Sequence, residues 1–200
     1  MKGSIIIVSF FIAGVILGTF KIVPPEFSNL ELSYFALCAL MFCVGVSIGK
    51  DPNALQNFKS LNPGVIFLPL MTIIGTLAGA AVISFVLPLR TTAECMAVGS
   101  GFGYYSLSSI FITEYKGAEL GTIALLSNIS REIMTLLLAP LMVRWFGNLS
   151  PISAGGATTM DTTLPIITRS AGEKFVIPSI YHGMVVDFTV PFLVTLFCSI

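Results

Sequence analysis

The chain has 200 residues, of which 55% are hydrophobic and only 10% charged, and its formal net charge is zero. So few charges cannot make the polar shell of a soluble domain, and the composition points to an all-α, polytopic integral membrane protein. Scattered basic residues exclude the positive footprint of a nucleic-acid binder. Four cysteines (Cys38, Cys43, Cys95, Cys198) without a CxxC pair, beside a single histidine, read as packing residues, so neither a metal site nor a cofactor is expected.

A membrane-spanning helix needs ~20 apolar residues. Residues 4–22, 32–48, 64–87, 120–144 and 175–197 meet that need and are predicted as five full helices. Lys2 and the apolar run after it have the charge and core of a signal peptide, but no Ala-x-Ala-like exit follows, so this run is read as the first membrane helix. Pro24-Pro25, Gly49 to Pro52, Asn62-Pro63 and Pro88 punctuate the connections, and residues 51–61 read as an interfacial loop or short helix.

Residues 92–115 and 151–168 are membrane-like in part, but glycine, serine and threonine interrupt them, in GSGFG from Gly99 and AGGATTMDTT from Ala154. Unwound backbone at membrane depth is tolerated only inside protein or along a wet cavity. Broken helices of this kind mark binding sites in transporters. The two segments either cross or re-enter, giving five to seven crossings, and the chain divides into an N-terminal three-helix part (1–91) and a transport-site part (92–200).

If both broken segments re-enter, Lys2, Lys50, Lys59, Arg144, Arg169 and Lys174 share one side against Lys21, Arg90 and Lys116; if both cross, Lys116 and Arg144 exchange places. Either way the positive-inside rule puts the N-terminus in the cytoplasm and the C-terminus outside. A weak internal repeat at an offset of 55 lays Gly101 on Gly156, Gly117 on Gly172 and Glu132 on Asp187. It places a broken segment before a helix with a central carboxylate, twice.

The chemistry is sought in Arg131, Glu132, Asp161 and Asp187, because an ionisable side chain at mid-membrane costs roughly 2.5–3.5 kcal/mol on insertion scales. A carboxylate kept from water favours its neutral form, which suits it to exchange protons with a substrate cation. Adjacent helix residues do not share a face. Arg131 is therefore expected to pair with an acidic group on another helix, Asp161 or Asp187. Amides near Gly101 and Gly156, with hydroxyls such as Ser106 and Thr159, are expected to hold a substrate carboxylate; the bland alternative for these glycines is close helix packing. His182 and Asp187 lie on different faces and form no dyad, so His182 reads as a hydrogen-bonded packing residue.

GSGFGYYSLSS (Gly99 to Ser109), SREI around Arg131 and Glu132, and GGATTMDTTLPIITR (Gly155 to Arg169) resemble signature segments of the LysO family of lysine exporters, over essentially the whole chain. The resemblance implies an inner-membrane exporter of L-lysine and analogues such as thialysine, working by antiport with protons. It also implies dependence on paired membrane-embedded acids, here Glu132 and Asp161. Typical members carry a further hydrophobic region before the part matched here, so the resemblance implies a small membrane subunit or a homo-oligomer as partner. The other readings are a cation or amine/proton antiporter, and a membrane subunit that transports only with a small partner chain.

Overall fold

The computed structural model describes residues 16–17 and 63–200. The predicted spans 4–22 and 32–48, apart from the helical pair Ile16 and Leu17, lie outside the described residues, as do the 51–61 loop, Cys38 and Cys43. Residues Asp51–Ile200 form one compact unit. Its described part consists of helices α1 (Pro63–Ile66), α2 (Leu68–Ser84), α3 (Thr92–Gly99), α4 (Tyr105–Lys116), α5 (Ala118–Phe146), α6 (Ser150–Gly155), α7 (Leu164–Ala171) and α8 (Val176–Ser199), with 3-10 turns at Gly156–Met160 and Glu173–Phe175.

Among the described residues, three helices are long and apolar enough to cross a membrane: Gly64–Ser84, Ala118–Phe146 and Glu173–Ser199. Large apolar side chains of these helices face outward, among them Met71 and Val82 of α2, Leu137 and Trp145 of α5, and Phe188 and Phe192 of α8. Small polar groups lie inside instead, including Ser100, Ser108, Thr135, Thr163 and Ser179. This is the inverse of a soluble protein's arrangement and suits helices whose outer faces meet lipid and whose contacts rest on small residues and hydrogen bonds. The chain is an all-α, multi-pass membrane protein.

Two hairpins complete the unit, and hydrogen bonds fix where each enters. The Thr91 hydroxyl accepts from the Glu94 amide at 3.2 Å while the Glu94 carboxylate accepts from the Thr91 amide at 2.9 Å, a capping box that starts α3. Arg90 forms an ion pair with Glu119 in the first turn of α5. Val98, near the end of α3, accepts from Asn128 Nδ2 at 3.2 Å. α3 therefore follows α5 from its first turn inward. α4 returns along it, placing Thr113 against Gly121 of α5. Residues 92–116 thus enter and leave at the same end.

The second hairpin does the same from the opposite end. The hydroxyls of Ser84 and Thr92 lie 2.9 Å apart, so α2 finishes where α3 begins. Its other end is marked by Tyr181 near the start of α8, whose hydroxyl donates to the Ile66 carbonyl at 3.0 Å. The α5 helix carries the chain across to that end. There α6 turns back inward until Gly155 lies against Thr135, and α7 leads out again to α8. Both broken segments re-enter. A glycine with positive φ precedes each following helix, Gly117 (φ 90°) before α5 and Gly172 (φ 106°) before the turn into α8, where a Cβ would be strained.

Candidate transport site

The tips of the two hairpins meet between α5 and α8. The Ala157 amide of the second tip donates to the Phe102 carbonyl of the first at 2.9 Å. Phe102 is fully buried and holds φ at 45°, an uncommon conformation for a residue with a side chain. Gly156 (φ 64°) faces it so closely that a Cβ would overlap the Phe102 carbonyl oxygen.

Two residues on one face of α5 tie these tips down. The Asn128 carboxamide accepts from the Gly103 amide at 2.8 Å and donates to Val98, so it closes the first break. One turn on, Arg131 closes the second. Its Nε donates to the Ala154 carbonyl at 2.8 Å and its Nη2 to the Ser153 carbonyl at 3.0 Å, while Nη1 lies 3.3 Å from Thr76 Oγ1 of α2. The guanidinium also stands 5.8 Å from the Phe102 ring centroid. Carbonyls at the end of a short helix offer partial negative charge, which explains why a cation settles there.

This arrangement corrects two expectations. Arg131 pairs with no carboxylate among the described residues, because the carbonyls that α6 exposes where it breaks take its donors. Nor are the tip amides free for a ligand: Gly103 gives its N–H to Asn128, Ala157 to Phe102, and Thr162 to its neighbour Asp161 at 2.5 Å. A Cβ on Gly101 would collide with the Asn128 and Ser108 side chains, so close packing accounts for this glycine.

Thr159 is likewise an internal peg. Its fully buried hydroxyl lies 2.8 Å from the Gly156 carbonyl, 2.9 Å from that of Ser179 and 3.3 Å from His182 Nδ1. His182 Nε2 lies 2.9 Å from Thr72 Oγ1, and that hydroxyl donates to Ser153 Oγ at 3.0 Å. A polar chain therefore crosses from α8 to α2 and back to the second hairpin. Ser106 is exposed, and its carbonyl accepts from Ser109 Oγ at 3.4 Å.

The acidic residues lie in different settings. Asp187 on α8 is buried, with 5% of its surface accessible, and makes no hydrogen bond or ion pair among the described residues. Asp161 is exposed at the end of the 3-10 turn, not enclosed as expected. The two carboxylates lie within electrostatic range of each other and of the Tyr104 hydroxyl at the first tip. Glu132 is half-buried on α5, and no bond joins it to Asp161. Asp161 thus lies within electrostatic range of Asp187, and no hydrogen bond or ion pair among the described residues joins it to Glu132, the partner that the resemblance implied. Asn128 was missed altogether; its signal was a carboxamide one turn from Arg131 on an apolar helix.

A cavity of about 660 Å³ opens between α2, α3 and α5. Thr76, Asn128 and Arg131 line it at mid-helix, and Arg90 and Glu94 line it toward the end where α3 begins.

The family model of the lysine exporter LysO matches residues 8–198. The chain belongs to the LysO family. It is 32% identical over 169 residues to the lysine exporter LysO of Escherichia coli K12, an alignment covering 84% of this chain and 56% of that protein. It is 34% identical over 175 residues to a putative lysine exporter of Haemophilus influenzae strain Rd, covering 88% of this chain and 86% of that one. The chain thus spans little more than half the length of the first of these LysO relatives. No solved structure matches it.

Proposed function

We propose that this chain is an inner-membrane exporter of L-lysine and of analogues such as thialysine, exchanging them for protons, with its N-terminus in the cytoplasm and its C-terminus outside. The relatives' names support the cargo. The observation that carries the site is Asp187, a buried carboxylate without a bonding partner among the described residues, lying within electrostatic range of Asp161 where two re-entrant hairpins meet. Re-entrant tips meeting between crossing helices form an architecture that transporters use for substrate and ion sites. The recurrence of hairpin and acid-bearing helix, with Glu132 on α5 and Asp187 on α8, fits an internal repeat around that site.

In this mechanism Glu132, Asp161 and Asp187 receive the ammonium groups of lysine or the counter-moving protons. Protons arriving from outside neutralise the carboxylates and release the amine. A ligand shifts the balance between inward and outward states only by its difference in affinity for them, so protonation must change that difference.

The test is lysine-driven proton movement in proteoliposomes. Glu132→Gln and Asp161→Asn are each expected to abolish it, and a variant exchanging at the wild-type rate removes that carboxylate from coupling. Competition by ornithine, arginine and sodium reads the cargo: sodium displacing lysine would make the protein a cation antiporter.

A further inference from the structure

Lysine brings a carboxylate as well as two ammonium groups, and the acids discussed above can serve only the ammonium groups. The hairpin amides that might have served the carboxylate are bonded within the chain. Among the described residues, Arg131 is the cationic donor that lines a cavity at mid-helix. Arg131 has five N–H groups, and the three bonds it makes go to neutral oxygens, two carbonyls and the Thr76 hydroxyl. The guanidinium and that same hydroxyl line the cavity between α2, α3 and α5, whose volume of about 660 Å³ lies within the usual range for small-molecule sites. A guanidinium with N–H groups to spare is well matched to a carboxylate.

We propose that this cavity seats the carboxylate end of the amino acid on Arg131, an assignment that rests on the lysine-export reading. From Arg131 the cavity follows about 16 Å of the α5 axis to Leu120. Glu94 lines it on the way. With the orientation proposed above, the Arg90–Glu119 end is the outer one, so the cavity runs from the anion seat at mid-helix toward the release side. Arg131 then has two tasks: its Nε and Nη2 hold the second hairpin, and its remaining donors hold the ligand.

The experiment is lysine binding to the purified full-length protein in nanodiscs, with lysinamide and cadaverine as competitors that lack a carboxylate. Both should compete more weakly than lysine by on the order of 10- to 100-fold, the worth of one charged hydrogen bond. Because Arg131→Gln also loosens the hairpin, a second variant leaves the clamp alone. Gly79 lines the same cavity, and a Cβ there meets no atom within 4 Å. Gly79→Phe should fill the space, weaken lysine binding at least ~10-fold by the same measure and leave the melting temperature unchanged. Wild-type protein that binds lysinamide as tightly as lysine, or Gly79→Phe that binds lysine normally, overturns the assignment but leaves lysine export standing. Wild-type protein that neither binds nor moves lysine overturns both.

Discussion

The Phe102 carbonyl accepts the Ala157 amide at 2.9 Å, and this one bond joins the tips of two hairpins that enter the unit from opposite ends. Each tip is broken backbone, which at membrane depth survives only where its N–H and C=O groups find partners in the protein. The tips supply one another through this bond, Asn128 and Arg131 supply further partners, and the Thr158 and Thr159 hydroxyls serve the Gly155 and Gly156 carbonyls.

Asn128→Leu keeps the side chain's approximate size and removes its bonds to Gly103 and Val98. Each buried group left without a partner costs about 1–3 kcal/mol. The Val98 carbonyl still accepts from the Gly101 amide at 3.3 Å, so the Gly103 amide is the group left bare; thermal unfolding in detergent should show a loss of about 1–3 kcal/mol, and lysine exchange should fall with it. An unchanged melting temperature would mean that water replaces Asn128 at the first tip.

Gly156→Ala tests the contact directly. A left-handed backbone costs a residue with a side chain about 1–2 kcal/mol, and the added carbon overlaps the Phe102 oxygen. The variant should lose well over that amount or fail to fold. Gly75→Ala is the contrast, since its Cβ meets no atom within 4 Å and alanine favours a helix interior by about 0.5–1 kcal/mol. Melting temperatures measured side by side should move in opposite directions.

Asp187→Asn separates a functional carboxylate from a structural one. Asp187 makes no bond within the described unit, so an isosteric neutral side chain breaks nothing and removes the burden of a buried charge. Stability should stay level or rise, while lysine-driven proton movement disappears. A loss exceeding about 1 kcal/mol, the worth of an ordinary hydrogen bond, would reveal a structural partner for this residue.

The spans of α2, α5 and α8 were legible because a bilayer demands long apolar runs, and the breaks because Gly99 to Gly103 and Gly155-Gly156 interrupt such runs. Whether the broken segments re-enter was not legible. That rests on pairings between distant residues, Arg90 with Glu119 and Tyr181 with Ile66, and the positive-inside tally is equally lopsided for either path. Arg131 was expected to seek an acid because opposite charges attract. Its true partners, the carbonyls of Ser153 and Ala154, become available only where α6 stops, which no local pattern around Arg131 announces. Asn128 escaped notice for a related reason: an uncharged residue raises no alarm at membrane depth, although it closes one break as Arg131 closes the other.

His182 joins α8 to both α2 and the second hairpin through Thr72 and Thr159, with no accessible surface. Neither threonine hydroxyl is free to turn to water, so His182→Ala leaves a cavity and two weakened polar contacts. Such buried changes typically cost about 2–5 kcal/mol. A double-mutant cycle with Thr72→Val separates the cavity from the network: residues sharing a hydrogen-bond network couple by about 0.5–3 kcal/mol, whereas independent sites add. Coupling in that range, read from unfolding curves of the two single variants and the double variant, is the expected result. Simple additivity would mean that His182 supports the second hairpin by its bulk alone, and that the contact to Thr72 contributes nothing to holding α2 against it.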